Sequence, residues 1–167
     1  MTDDLTHLDS SGRANMVDVG DKQTTARRAV AVGQVFLSEE ARRAVAERTL
    51  EKGEALAVAR VAGISGAKKT PDLIPLCHQI PLDKVSIEFE ILDDPSSICI
   101  RAEARCHGQT GVEMEALTAV STAALTLYDM CKAIDRAMRI GRVQLLHKSG
   151  GQSGSFDHPD PPAWTQA

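Results

Sequence analysis

Segment 112–138 carries polar side chains at a spacing that suits chemistry. Glu115, Thr118, Thr122, Thr126, Asp129, Lys132 and Arg136 recur three or four positions apart. That period keeps them on one stripe of a helix. A solvent-facing stripe is the simpler reading, with Asp129 and Lys132 as a surface ion pair of small weight. The threonines argue against it, because exposed stripes mostly use Glu, Lys and Arg. An aspartate three positions from a lysine also favours the charged ammonium.

Three further groups can do chemistry. LIPLCHQIPL sets His78 beside Cys77 between prolines, which fix backbone dihedrals and place neighbours at low entropic cost. His78 can carry a proton near neutral pH or cap a loop, and the residues leave both open. Cys77 reads as a small buried side chain rather than a nucleophile. Glu113 and Glu115 in TGVEMEA stand at a helix start, where the dipole favours acids; a carboxylate there can also accept from the paired donors of a guanine edge. Lys22, Arg27, Arg28, Lys52, Lys68, Lys69 and Lys148 are candidate phosphate ligands among ordinary solvated charges. SGGQSG lacks the G-K-[ST] ending of a phosphate loop.

The elements that must hold these groups follow from periodicity. Residues 1–24 are polar and read as an arm. Segment 29–37 is valine-rich and reads as a strand, and Ser38 caps a helix toward Leu50 with Glu39 and Glu40 in its first turn. Segment 54–69 reads as a helix whose Ala59, Gly63 and Gly66 give a flat packing face. Pro71, Pro75 and Pro81 make the next stretch turn-rich. Segments 84–92 and 97–106 alternate apolar and polar around DDPS, a hairpin signal. Segment 112–138 is the longest helix, and 142–146 a last strand. The order β-α-α-β-β-α-β predicts an α+β fold, an antiparallel sheet with helices on one face. One domain over 25–150 and a flexible tail over 151–167 complete the expected organisation.

The chain has 167 residues, 43% hydrophobic, 25% charged and only 3% aromatic, so its core is aliphatic. A formal net charge of −4 argues against a nucleic-acid binder. Cys77, Cys99, Cys106 and Cys131 form no C-x-x-C pair, so no metal site is expected. The acidic start is no signal peptide and no apolar run reaches membrane length. No membrane association is expected; the reading is a cytoplasmic protein with reduced thiols.

THLDSSGRANMVDV, KKTPDLIPLCHQIPL, GQTGVEMEALTAVSTAALTLYDMCKAIDR and LLHKSGGQSG together closely resemble the molybdenum cofactor biosynthesis protein C family. The resemblance spans residues 5–154. It implies a ferredoxin-like α+β subunit in a homohexamer, a trimer of dimers. It implies a lyase, a cyclic pyranopterin monophosphate synthase acting on 3′,8-cyclo-7,8-dihydro-GTP with release of pyrophosphate. By the same resemblance Asp129, Lys132 and Lys52 are catalytic. Leu76, Cys77, His78, Glu113, Met114 and Glu115 bind substrate, and Arg27 lies near the triphosphate. No protein-bound cofactor is implied, though Mg2+ can accompany the triphosphate. Gln109 and Gln152 stand where the family often has Lys, so no phosphate contact is assigned to them. A nucleotide or pterin carrier is the rival reading, and an oligomer with the stripe as interface is another. Glu115 and Asp129 are too far apart on one helix for one small site, which predicts sites shared between subunits. Ala119, Ala123 and Ala124 are expected to let a partner helix approach.

Overall fold

The computed structural model describes residues 11–165; residues 6–10 of the first resemblance block lie outside them. The described chain runs β1 (Thr25–Phe36), α1 (Glu39–Ala46), α2 (Ala55–Lys68), α3 (Thr70–Leu73), β2 (Lys84–Leu92), β3 (Ser97–Gly108), α4 (Glu113–Cys131), β4 (Arg139–Ser149) and β5 (Phe156–Asp157), with a short 3-10 turn at Ala163–Thr165. All strand pairs are antiparallel, in the order β2-β3-β1-β4-β5. Without β5 this is the ferredoxin-like arrangement, with β1 between two strands joined through α4. The expected α+β architecture is the observed one.

Strand β1 shows how sequence becomes layers. Its side chains alternate across the sheet. Ala29, Ala31 and Val35 enter the core beneath α2 and α4, whereas Val30 and Val32 pack on the opposite face with Leu146 and Trp164. Helix α1 starts where expected, with the Ser38 hydroxyl accepting from Ala41 N–H at 3.2 Å. Helices α2 and α4 lie close together because α2 is smooth. A Cβ on Gly63 would come 2.2 Å from Ile87 Cδ1 and 2.8 Å from the Ala119 carbonyl, and one on Gly66 would meet Thr122 at 2.4 Å.

Four expectations need correction. The longest helix ends at Cys131, not near Met138, so Arg136 lies beyond its stripe. Asp135 diverts the chain: one carboxylate oxygen accepts from Ala137 N–H at 2.8 Å, the other from Ser38 N–H at 2.7 Å. The stripe is also not the solvent face, since Glu115 and Thr118 are buried and Thr122 lies against Gly66. Ala119, Ala123 and Ala124 are fully buried within the subunit and cannot meet a partner. Segment 151–167, expected as a tail, supplies β5 and the Trp164 contact.

Candidate active site

Two cavities open side by side at the N-terminal end of α4. The first, about 400 Å³, is lined by Leu76, Cys77 and His78 from the proline-rich loop and by Glu113, Met114 and Glu115 from the first turn of α4. Six of the seven residues expected to contact substrate thus meet in one place, and Arg27 lies outside it. The second, about 790 Å³, holds Arg27, Arg28, Lys22 and Lys148. Lys22, Thr110, Gly111 and Glu113 line both, so the two adjoin. Both fall in the size range of small-molecule sites.

The first cavity is partly apolar, with two carboxyls in its wall, Glu113 and Glu115. Glu115 is only 2% exposed. Burial pushes its carboxyl up to about 7, against its own backbone N–H, and the Glu113 carboxylate adds to the rise. Near neutrality such a group can donate a hydrogen bond as well as accept one. The Cys77 thiol is raised by burial and then by Glu115, which keeps it protonated and a poor nucleophile. His78 Nε2 lies 2.8 Å from the Val17 carbonyl oxygen. An acceptor there makes Nε2 the N–H and leaves Nδ1 to accept. The imidazole therefore holds Val17 at the cavity wall.

The second cavity is basic. Arg27 donates from Nε to the Gly108 carbonyl and from Nη2 to the Gln109 carbonyl, each at 3.2 Å. Arg28 is partly neutralised by Glu103 at 2.6 Å. Gln109 and Gln152 both line this cavity, and Gln109 Nε2 donates to the Gly20 carbonyl at 3.1 Å.

A third cluster sits at the other end of α4. Asp129 accepts from Lys132 Nζ at 2.8 Å and from Lys52 Nζ at 2.9 Å, and Lys52 also reaches the Asp129 carbonyl at 2.8 Å. The two ammoniums, Lys132 foremost, hold the Asp129 carboxyl down at about 2. All three side chains are about half exposed, and none lines either cavity. Glu115 and Asp129 are fourteen residues apart (129 − 115), roughly 21 Å of helix at 1.5 Å per residue.

Residues 16–151 match the model of the MoaC family. The chain belongs to the MoaC family. It is 56% identical over 158 residues to a protein of Chloroflexus aurantiacus, covering 93% of this chain and 96% of the relative. It is 54% identical over 162 residues to one of Pelotomaculum thermopropionicum, covering 97% and 95%. A Roseiflexus relative is 57% identical over 153 residues, covering 92% and 97%. Each of the three is named cyclic pyranopterin monophosphate synthase.

Sequence reasoning missed part of this MoaC-family chain's candidate site. Val17 and Val19, in the segment read as an arm, wall the first cavity. The two valines flanking Asp18 were the available signal, too short to stand alone. Lys22 and Lys148 appeared among seven basic candidates; the fold gathers them with Arg27 and Arg28, while Lys69 pairs with Asp72 at 3.2 Å. No helix among the described residues is long and apolar enough to cross a membrane.

Proposed function

We propose that this MoaC-family chain is a cyclic pyranopterin monophosphate synthase, a lyase of molybdenum cofactor biosynthesis. It converts 3′,8-cyclo-7,8-dihydro-GTP to cyclic pyranopterin monophosphate and releases pyrophosphate. The observation that carries the reading is a part-apolar cavity bearing a buried carboxyl beside a basic one, the two sharing four lining residues. A fused heterocycle fits the first and a triphosphate the second. The shared name of relatives 54–57% identical over most of their length supports it.

Leu76, Cys77, His78, Glu113, Met114 and Glu115 hold the base, and Arg27 faces the triphosphate with Lys22 and Lys148. Ring opening and pyrazine closure need proton transfers at nitrogen and oxygen, the work of Lys132, Asp129 and Lys52. In the last step a hydroxyl oxygen attacks the α-phosphorus and its bond to the β-phosphate oxygen breaks. Pyrophosphate leaves, and the hydroxyl proton passes to a base. That step needs positioning and charge neutralisation more than covalent help. The reaction so read needs no resident cofactor, and Mg2+ can enter with the triphosphate.

The catalytic cluster and the cavities are too far apart on α4 to serve one substrate within a subunit. The site is therefore shared, an antiparallel partner bringing its Asp129 end beside this subunit's Glu115 end. Val61 and Leu125, 66% and 62% exposed on α2 and α4, supply apolar surface for that contact in place of the buried alanines. With the shared site goes a homohexamer, a trimer of dimers. A cytoplasmic location accords with four free cysteines.

The test is incubation with purified cyclised dihydro-GTP, with product read by mass and pyrophosphate by a coupled assay. One pyrophosphate per product is expected. Binding without pyrophosphate release makes the chain a carrier instead.

A further inference from the structure

The C-terminal segment crosses the sheet face that the helices leave open, and it connects directly to the basic cavity. Residues 149–153 line that cavity, and the loop they belong to ends at β5. A two-residue strand has little hold of its own. Three contacts keep this one in place. Asp157 accepts from His147 Nδ1 at 2.7 Å, and His158 N–H donates to the Leu146 carbonyl at 2.8 Å. Seven residues further on, Trp164 packs on Val30, Val32 and Leu146. Its buried Nε1 has no partner among the described residues, so the contact there is one of area rather than of a hydrogen bond.

The loop is also pressed onto the cavity wall. Gly150 and Gly151 have φ of +100° and +76°. A Cβ on Gly150 would come 2.1 Å from the Ala26 carbonyl oxygen, and one on Gly151 would come 1.6 Å from Arg27 Nη1. Arg27 is itself fixed to the Gly108 and Gln109 carbonyls. Lys148 Nζ donates to the Ser153 hydroxyl across the loop. The loop is thus held at both ends, by β4 and by β5, and seated on an anchored guanidinium.

We propose that residues 156–165 form a strap that positions the loop 149–155 for polyphosphate binding, with Trp164 as its anchor. Trp164 is a positioning residue: it lies on the far face of the sheet and acts through β5. The proposal rests on reading the basic cavity as the polyphosphate site. Preorganisation raises affinity by removing the ordering cost at binding.

The experiment compares the full chain with Trp164→Ser and Asp157→Ala. Ile87→Val, in the core on the helix side, controls for lost stability alone. Amide hydrogen exchange over 149–155 is followed by mass spectrometry, and affinity for inorganic tripolyphosphate by calorimetry. Trp164→Ser should speed loop exchange at least ~10-fold under native conditions and weaken tripolyphosphate about tenfold. Asp157→Ala should act in the same direction, and Ile87→Val should do neither. Loop exchange that stays at the wild-type rate in Trp164→Ser overturns the proposal, whatever its melting temperature does. Faster exchange with unchanged affinity overturns it too. A wild-type protein that does not bind tripolyphosphate removes the reading of the cavity instead, and the exchange result alone then decides whether the strap holds the loop.

Discussion

Glu115 and Asp129 are carboxylates on the same helix with opposite electrostatics. Asp129 is exposed and shared by two ammoniums, while Glu115 is buried and held near 7. For Glu115 the folded state binds the proton more tightly than the unfolded chain, whose Glu titrates near ~4.3. Its contribution to stability is fully present below that value and is lost as pH rises through about 7. Glu115→Gln should therefore match the wild type near pH ~4 and exceed it above pH ~7.5, by up to about 3 kcal/mol. Denaturant melts across that window measure the gap, and a gap that does not change with pH counts against a buried, protonated Glu115. Asp129→Asn and Lys132→Ala should behave differently. Both residues are about half exposed, so melting temperatures should hold. Turnover should fall at least ~100-fold, as expected for a lost proton-transfer group. Near-normal turnover in either variant removes that residue from the chemistry.

At the scale of elements, the crossing of α2 and α4 sets the shape of the helix layer. Gly63→Ala forces a methyl toward the Ala119 backbone carbonyl, which cannot rotate away as a side chain could. A loss of about 1–3 kcal/mol is expected in chemical denaturation, and an unchanged midpoint would show the helices free to separate. The flat face of α2 was legible because small residues at helical spacing have few other uses. Strand β2 was legible to both ends, Lys84 and Leu92, because one half-buried face imposes a two-residue period. The start of β1 was not. Thr25, Arg27 and Arg28 look like loop, yet they extend the strand because β3 pairs with Thr25 through Phe36. The end of α4 was hidden for another reason: the Asp135 carboxylate that diverts it reaches Ser38, 97 positions away. Within the site, the block around His78 and the glutamates of α4 could be read locally. The closure of Val17 over His78 and the seating of residues 149–153 on Arg27 are tertiary, and no local pattern announces them.

For the whole molecule, the question is how one helix serves two ends of a reaction. Glu115→Ala and Asp129→Ala should each be inactive alone. Co-expressed, they should form hybrid dimers with one intact site and one doubly damaged site. Purified hybrids should show activity well above either parent, and hybrids as inactive as the parents would place each site within one chain. The roughly 21 Å between the two ends of α4 also bears on reaction order. On the proposed shared site, a lone subunit holds every needed residue and no working centre. The concentration of centres then follows the law of mass action. Where monomers predominate, initial rate should rise with the square of protein concentration; where dimers predominate, it should rise linearly. Rate measured beside sedimentation over the same dilution series tests this, and a strictly linear rate through a range that is mostly monomer would count against it.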